Sequence, residues 1–583
     1  MGPITGNPEL DALLARVRTW VAEDPKPSDA RTLQLLVYRV EDGEEEAAAE
    51  LRELFRTALA FGTAGLRGPL GPGPNRMNRA VVRRATAGVA GWVLAGGAGD
   101  PRGGVVIGRD ARYGSEVFET EAVEVLAGHG LAVHVLPDLV PTPVLAYAVR
   151  HLGAAAGIMV TASHNPATDN GYKVYDGEGR QVDVDQASAI VAHMEAAGPL
   201  SQVPLSGAAN PLIQRVSLDI VDEYLTELLA TVLRGRGDQA PVQVAYTPLH
   251  GVAGATVRRA CRMTGFVTLH EVPEQAEPVP DFPTVPSPNP EEPGVLDKLR
   301  GQAAWAGADV ALANDPDGDR LAMAVHDPER GAVRDQVAWR VLSGDELGWL
   351  LADHLVRRGG LPPEGVFATT IVSSTLLRAL AVDAGVPYAE TLTGFKWIVR
   401  SPGPGRRLAF GYEEALGYCV GDLVQDKDGI GALLLAAEMV SDLASGGVTV
   451  LDRLDELARG FGVHATGRWT ALLEGAEGAA RIAGAMARLR SSPPVALAGR
   501  RVAGVADLLD GTPRPTLPPA DVVGLALEGA RVVVRPSGTE PRLKCYVEVV
   551  EPVSDGDLAG ARARADEGLA TLLAALPPAL GLD

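Results

Sequence analysis

The sequence predicts three similar α/β domains in tandem, followed by a smaller α+β domain. At 583 residues the chain is too long for one hydrophobic core, and a length of about 150 residues per domain suggests about four domains. An apolar strand, a polar loop and an amphipathic helix follow one another three times, at 104–128, 242–263 and 366–384. After each unit comes a second apolar strand that ends in polar residues, an order typical of α/β domains.

The two ends of the chain differ from these repeated units. Apolar residues from Leu10 to Trp20 recur at helical spacing, and residues 47–59 repeat the pattern, which predicts a helical extension. Near the C-terminus, a helix at 479–489 and strands within 530–550 predict the α+β domain. The predicted divisions are 1–55 for the extension, then domains at 56–235, 236–338, 339–460 and 461–583. The proline-rich run 273–293 is predicted to be a surface loop inside the second domain.

The composition limits the kinds of partner. Hydrophobic residues make up 46% of the chain and charged residues 22%, as in soluble globular proteins. A net charge of −21 argues against a nucleic-acid partner, which needs a broad basic face. There is no apolar run that resembles a signal peptide or a membrane span. Cys261, Cys419 and Cys545 lack metal-ligand spacing, so we expect a cytoplasmic protein without nucleic-acid or membrane partners.

A serine stands at the end of the apolar run 157–160. The residues that follow, Thr161-Ala162-Ser163-His164-Asn165-Pro166, stop the strand because an Asn-Pro pair continues neither strand nor helix. A serine hydroxyl is a weak nucleophile unless a neighbour takes its proton or a metal lowers its pKa. His164 is one candidate for the first role, and Lys173 on the returning strand, which can face Ser163, is another. The alternative is an ordinary polar turn.

Three carboxylates alternate along a loop after the apolar run 310–313. Asp315, Asp317 and Asp319 would repel one another unless a cation lay between them. An EF-hand is disfavoured, because Arg320 and His326 occupy the positions where such a loop needs glycine and glutamate. Three hard oxygen ligands with open positions suit Mg²⁺ shared with a phosphate oxygen. The alternative is a solvated acidic turn.

Two further polar loops carry candidate binding groups. Glu413 follows an apolar strand, and a carboxylate binds vicinal hydroxyls well because each oxygen accepts two hydrogen bonds. Lys427 is one of only six lysines in the chain and is a possible proton donor or acceptor. A surface turn is the alternative at both places.

A compact group of donors lies near the C-terminus. Arg535, Ser537, Gly538 and Thr539 combine a guanidinium, two hydroxyls and a glycine that lets backbone N–H groups approach a ligand. This combination predicts a phosphate-binding loop.

Four of these motifs together resemble the α-D-phosphohexomutase superfamily, which contains the phosphoglucomutases, phosphomannomutases and phosphopentomutases. The motifs are 161–166, 315–320, 411–417 and 535–541, in the order that the family has them and spread over nearly the whole chain. The resemblance implies three α/β domains with mixed sheets, a smaller C-terminal domain and an active site in a central cleft. It also extends to 61–68, which would place Arg67 on a phosphate.

The resemblance assigns roles to individual residues. The implied catalytic residues are Ser163, His164, Lys173, Arg67 and Lys427. The implied Mg²⁺ ligands are Ser163, as a phosphoserine, and Asp315, Asp317 and Asp319. The implied substrate-binding residues are Arg320, Thr393, Gly394, Lys396, Glu413, Arg535, Ser537, Gly538 and Thr539.

The function that follows from the resemblance is phosphosugar mutation. We expect interconversion of the 1-phosphate and 6-phosphate of glucose, mannose or both, through a phosphoserine enzyme and a sugar 1,6-bisphosphate that also acts as activator. We expect a monomer or weak homodimer. A phosphopentomutase, a sugar-bisphosphate synthase with an acylphosphate donor and a non-catalytic sugar-phosphate sensor are the alternatives. Ala415 stands where the hexose enzymes have a serine, and together with the segments 61–67 and 393–397 it makes the chain resemble most the branch that includes phosphopentomutases and bisphosphate synthases.

Overall fold

The computed structural model of the chain describes residues 7–61, 65–233, 239–473, 475–509, 517–537 and 541–582. Within these residues three α/β units with mixed sheets precede an antiparallel C-terminal unit. The predicted fold class is therefore confirmed.

Three N-terminal helices pack on a small core of their own. They are α1 (Pro8–Glu23), α2 (Pro27–Glu41) and α3 (Glu45–Leu54). Asn7 begins α1, because its side chain accepts hydrogen bonds from the N–H groups of Glu9 and Leu10. The sequence pattern predicts that the last of these helices extends to residue 59, and this prediction is wrong. The helix ends at Leu54, and Leu59 instead donates its N–H to the carbonyl of Pro74 at 2.9 Å.

The first α/β unit has a six-stranded sheet in the order β1-β5-β4-β2-β3-β6. Its strands are β1 (Leu66–Pro69), β2 (Val105–Arg109), β3 (Val133–Val135), β4 (Ala156–Val160), β5 (Asp169–Asp176) and β6 (Ile213–Arg215). Its helices are α4 (Arg79–Leu94), α5 (Ser115–Gly128), α6 (Thr142–His151) and α7 (Val184–Ala196). Strand β5 runs antiparallel to β1 and β4, while β2 is parallel to β3 and β4. Every residue of β4 is buried, as its unbroken apolar sequence requires.

The second unit has a five-stranded sheet in the order β11-β10-β9-β7-β8. Its elements are α8 (Asp219–Val232), β7 (Val242–Thr247), α9 (Ala253–Thr264), β8 (Val267–Glu271), α10 (Asp297–Ala306), β9 (Val310–Ala313), β10 (Ala322–His326) and β11 (Trp339–Val341). Between β8 and α10 the proline-rich run is a loop with one short 3₁₀ turn at Pro273–Gln275, close to the predicted surface loop.

The third unit has a four-stranded sheet in the order β13-β12-β14-β15. Its elements are α11 (Gly344–Arg358), β12 (Gly365–Thr370), α12 (Leu376–Asp383), β13 (Tyr388–Thr391), α13 (Phe395–Ile398), β14 (Arg407–Glu413), β15 (Gly417–Val420), α14 (Gly429–Ser445) and α15 (Val450–Phe461). Helix α14 is apolar on nearly all sides and buried within a hydrophobic core shared by the three α/β units. In the described part of the chain no helix taken singly is long and apolar enough to cross a membrane, although α14 and α15, bent by 88°, pass that test as a pair.

The C-terminal unit is a six-stranded sheet in the order β16-β21-β20-β19-β18-β17 with two helices. Its elements are β16 (Val463–Leu472), α16 (Gly475–Ser491), β17 (Ala496–Leu497), β18 (Arg500–Asp507), β19 (Val523–Leu527), β20 (Ala530–Pro536), β21 (Arg542–Glu551) and α17 (Leu558–Leu580).

The chemical motifs follow the carboxyl ends of β4, β9 and β14, where ligands collect in sheets of this kind. An isolated bridge between Arg320 and Gly417 joins the loop after β9 to the start of β15, directly after the glutamate loop. The sheets therefore bring the aspartate loop and the glutamate loop together.

Candidate active site

Ser163 lies at the tip of β4 in a strained backbone conformation. Its φ of 53° is in the left-handed region, which residues other than glycine rarely adopt and which often marks a functional site. The Ser163 N–H donates to the Thr161 hydroxyl at 2.9 Å, and the Ser163 hydroxyl donates to Asp315 Oδ2 at 2.8 Å. The side chain is buried. The turn therefore aims the serine hydroxyl at the aspartate loop of the next unit.

Arg112 fixes the shape of this turn, and the sequence analysis missed it. Its guanidinium donates to the carbonyl oxygens of Ser163 and Asn165, both at 2.6 Å, of Pro166 at 2.7 Å and of Asp169 at 3.1 Å. The available signal was an arginine in the polar loop directly after β2. Its partners lie more than 50 residues away along the chain, so no local pattern indicated the contact.

The three aspartates converge as predicted. One carboxylate oxygen from each of Asp315, Asp317 and Asp319 lies within 4.8 Å of the other two, and all three side chains are fully buried. Oδ1 of Asp317 and Oδ1 of Asp319 accept no hydrogen bond from any residue that the structure describes. Burial, together with the charges of Asp317 and Asp319, raises the pKa of Asp315 to about 8. Orphaned oxygens on buried, mutually repelling carboxylates, with the Ser163 hydroxyl beside them, fit a hard divalent cation.

Two lysines neutralise the far side of the aspartate cluster. Lys173 Nζ donates to Asp317 Oδ2 at 2.6 Å and to Asp319 Oδ2 at 3.0 Å. Lys427 Nζ lies 3.0 Å from Asp319 Oδ2. Burial would lower the pKa of Lys427, but Asp319 and Asp426 raise it above its ordinary value. The sequence predicts that Lys173 can face Ser163; the structure instead directs its ammonium to the aspartates.

His164 and Arg67 complete the surroundings of the serine. His164 Nδ1 is 3.3 Å from the Ser163 hydroxyl. Burial, with the charges of Arg320 and Arg67, lowers the pKa of His164 well below its ordinary value, so its imidazole is neutral. Arg67 lies on β1, where its buried Nε has no hydrogen-bond partner among the described residues. Its charge interacts with that of Asp317.

The glutamate loop brings three predicted residues together. Glu413 Oε1, at the end of β14, accepts a hydrogen bond from the Gly394 N–H at 2.7 Å, and Thr393 precedes that glycine. Gly394 has a φ of 116°, which strains any other residue. Lys396 lies elsewhere: its buried ammonium is 3.4 Å from the carbonyl oxygen of Val182 in the first unit. Its predicted contact with substrate stays a prediction.

The predicted phosphate loop is described only in part. Arg535 lies at the end of β20, opposite Lys544 on β21, and the Ser537 N–H donates to the Arg542 carbonyl at 2.8 Å. Gly538 and Thr539 lie outside the described residues. Burial raises the pKa of Tyr546; the charge of Glu414 raises it further and that of Arg535 opposes the rise. Tyr546 is thus close to both the C-terminal loop and the glutamate loop.

Family models match most of the chain. The models for the phosphoglucomutase/phosphomannomutase α/β/α domains I, II and III match residues 58–200, 222–330 and 343–459, and the model for the C-terminal domain matches 486–565.

Similar proteins were also found among curated sequences and solved structures. A "Probable phosphomannomutase" of Haemophilus influenzae is 36% identical over 479 residues, which are 81% of this chain and 93% of the relative. A phosphoglucomutase of Staphylococcus aureus is 32% identical over 526 residues, 88% of this chain and 93% of the relative. A phosphoglucomutase/phosphomannomutase family protein of Burkholderia thailandensis has the same fold, with a TM-score of 0.62 at 18% identity over 88% of this chain and 97% of that one.

Proposed function

The chain belongs to the phosphoglucomutase/phosphomannomutase family of the α-D-phosphohexomutase superfamily, and we propose that it interconverts the 1-phosphate and 6-phosphate of glucose, mannose or both. The observation that carries this proposal is the hydrogen bond of 2.8 Å from the strained, buried Ser163 to Asp315 within the three-aspartate cluster. It joins a nucleophile and a cation site on two different domains.

Ser163 is the phosphoryl carrier in this proposal. The phosphoserine gives its phosphoryl group to the free hydroxyl of a sugar monophosphate, which forms a bisphosphate and leaves a serine hydroxyl. The bisphosphate turns around, and its other phosphoryl group returns to Ser163, so that the phosphoserine is restored and an isomeric monophosphate leaves. A sugar 1,6-bisphosphate therefore also serves as activator.

The aspartate cluster supports this transfer electrostatically. Asp315, Asp317 and Asp319, with an oxygen of the Ser163 phosphate, would hold Mg²⁺, which when bound supplies positive charge to the phosphoryl oxygens. Lys173 holds two of these aspartates in place through its ammonium.

The remaining residues near Ser163 divide into phosphate-binding and proton-transfer groups. Arg67 and Arg320 have buried Nε donors without hydrogen-bond partners among the described residues, and each is assigned to the transferred phosphate. His164, at 3.3 Å from the Ser163 hydroxyl, is placed to exchange a proton with it. Lys427 and Lys173 are alternative groups to accept the proton of the attacking sugar hydroxyl and to donate a proton to the sugar oxygen when its phosphoryl group leaves.

Sugar recognition is assigned to the third and fourth domains. Glu413 binds vicinal hydroxyls of the sugar. The Gly394 N–H donates to its carboxylate, and Thr393 precedes this glycine. The idle phosphate is assigned to Arg535 and Ser537, together with the predicted Gly538 and Thr539, and Lys396 remains a predicted contact. A cytoplasmic monomer or weak homodimer and the domain divisions also remain predictions.

The decisive experiment measures conversion of sugar 1-phosphates to 6-phosphates by the purified protein. The panel contains glucose, mannose, ribose and deoxyribose phosphates, with 5-phosphates as products for the pentoses. Each is assayed with and without a sugar 1,6-bisphosphate, with Mg²⁺ or with a chelator. We expect hexose turnover that needs both Mg²⁺ and, after dephosphorylation, the bisphosphate.

Other results would contradict the proposal in distinct ways. Bisphosphate accumulation that requires an acylphosphate donor would indicate a synthase instead. Binding of sugar phosphate with no turnover under every condition would indicate a sensor.

A further inference from the structure

Glu291, on the proline-rich loop before α10, joins two parts of the site that the proposed roles leave unconnected. Its Oε2 lies 3.6 Å from Nη1 of Arg320, beside the aspartate cluster. Its Oε1 accepts a hydrogen bond of 3.1 Å from Nη1 of Arg468, on β16 of the C-terminal domain. One carboxylate therefore contacts both the phosphate-binding arginine and the domain that carries the distal phosphate loop.

The loop that carries Glu291 is firmly anchored. The fully buried Gln275 accepts a hydrogen bond of 2.8 Å from the Thr247 hydroxyl and donates one of 2.7 Å to the Thr284 hydroxyl. Close to Glu291, the side chain of Asn289 accepts a hydrogen bond of 3.2 Å from the N–H of Glu291. The loop is thus tied to β7 at Gln275, and the backbone at Glu291 is bonded locally to Asn289.

The same loop also touches the nucleophile turn. The ring of Phe282, which is buried, lies 4.9 Å from the guanidinium of Arg112, the residue that fixes the carbonyl groups around Ser163. The proline-rich loop thus reaches from the nucleophile turn to the C-terminal domain.

The Arg320 side chain forms ion pairs with three carboxylates. Its Nε lies 3.9 Å from Asp315 Oδ2 and 4.0 Å from Asp319 Oδ1, beyond hydrogen-bond distance, and this buried Nε donates to none of the described residues. Glu291, at 3.6 Å, is also beyond hydrogen-bond distance, but it is the nearest of the three carboxylates that pair with Arg320. This ion pair involves Nη1, and the Nε donor is available to an incoming phosphate oxygen.

The Arg468 contact bridges a gap between domains. A cavity of about 220 Å³ is lined by Glu291, Leu416, Arg468 and Tyr546, so the C-terminal domain is not closely packed against the rest of the molecule here. Arg468 lies directly opposite Tyr546 in the β16–β21 ladder and is more than half exposed. The C-terminal domain packs on the third domain through Ile371 and Val533 and through the buried Glu548, and the Glu291–Arg468 pair adds a contact with the second domain.

We propose that Glu291 is a positioning residue of the mutase site, which orients Arg320 toward the phosphate on Ser163 and fixes the C-terminal domain through Arg468. The proposal rests on the proposed function. It predicts two separable effects, because the Arg320 contact serves the transfer step and the Arg468 contact serves binding of the idle phosphate.

The test measures kcat and KM for glucose 1-phosphate with Glu291→Gln, Arg468→Gln and the double variant. We expect Arg468→Gln to raise KM about threefold with kcat unchanged, since an exposed pair is weak and screened by salt. We expect Glu291→Gln to raise KM by the same factor and to lower kcat about tenfold. In the double variant KM should equal that of Glu291→Gln alone, because the pair is already broken.

A matched control removes a charge pair of the same sheet that faces solvent. Arg501→Gln breaks the 2.8 Å pair with Glu528 and should leave both constants unchanged. Melting temperatures of all variants identify a folding defect, and the exposed Arg468→Gln tests the domain contact even if Glu291→Gln is unstable.

The outcomes separate this inference from the proposed function. An unchanged kcat in Glu291→Gln, or KM effects that multiply in the double variant, would overturn the role of Glu291 while wild-type mutase activity stood. An unchanged KM in Arg468→Gln would overturn the domain contact in the same way. A wild-type protein without mutase activity would overturn the proposed function, and this inference with it.

Discussion

The nucleophile half of the site and the recognition half are built differently. In the first and second domains Ser163, Lys173 and the three aspartates are almost completely buried and hold one another by direct side-chain contacts. In the third and fourth domains Glu413, Arg535 and Ser537 are partly exposed. Charge that must stabilise a transition state is most effective when it is fixed beforehand. A surface that must bind a sugar in two orientations requires access and tolerance instead.

The largest expected effect comes from removing the nucleophile. Ser163→Ala should abolish turnover and leave the protein without covalent phosphate, because no other group in the proposal carries the phosphoryl group. Sugar phosphate should still bind, since Glu413 and Arg535 do not depend on Ser163. Intact-mass measurement and calorimetric titration check the two parts; a phosphate retained on Ser163→Ala would contradict the assignment of the nucleophile.

The next effect tests the pre-arranged charges. Asp317→Asn should lower kcat by about 10³-fold and weaken the Mg²⁺ dependence, because Asp317 supplies both an orphaned buried oxygen and a partner for Lys173. Rates are measured across a Mg²⁺ titration. Asp327→Asn, which removes a carboxylate just beyond β10 and its pair with Arg330, is the matched control and should have little effect. Full wild-type activity in a chelator would argue against this site.

The sequence predicts some features of this site and not others. The strand ends and the aspartate triplet followed from local patterns, because strand periodicity and turn residues determine where such side chains emerge. The assignment of Gly394 to the same site as Glu413 came from the family resemblance alone. Arg112 could not be found in this way, since its four acceptors are backbone carbonyls distant in sequence.

Contacts between residues that are distant in the sequence also could not be predicted. The position of Lys396 against Val182 depends on how the first and third domains meet, and beyond the end of α3 at Leu54 the chain makes a tertiary hydrogen bond at Leu59. Local propensity contains neither kind of information.

A change in the recognition half should act on binding rather than on chemistry. Arg535→Gln should raise KM about 30-fold while kcat falls by less than about threefold, because a hydrogen bond to a charged group is worth about 2 kcal/mol and serves a phosphate that does not react. Steady-state kinetics with glucose 1-phosphate measure both constants, with Arg501→Gln as the control for loss of an arginine from the same sheet. A fall in kcat as large as that of Asp317→Asn would remove the distinction between the two halves.

The smallest expected effect is on the preference between hexose and pentose phosphates. Ala415 lies in the turn between β14 and β15, two positions after Glu413 and next to Leu416, whose φ of 62° makes the turn tight. The alanine offers no hydroxyl where the hexose enzymes have one, and a site that lacks a hydrogen-bonding group discriminates less between sugars that differ by a hydroxyl. We therefore expect turnover of glucose and mannose phosphates together with measurable turnover of ribose or deoxyribose 1-phosphate.

Ala415→Ser should shift the ratio of kcat/KM toward hexose by about tenfold, the effect of one modest hydrogen bond. Ala389→Ser, on the edge strand of the same sheet, is the control and should leave the ratio unchanged. If Ala415→Ser also leaves it unchanged, or if the wild-type protein accepts a single hexose phosphate, the specificity is determined elsewhere in the recognition half.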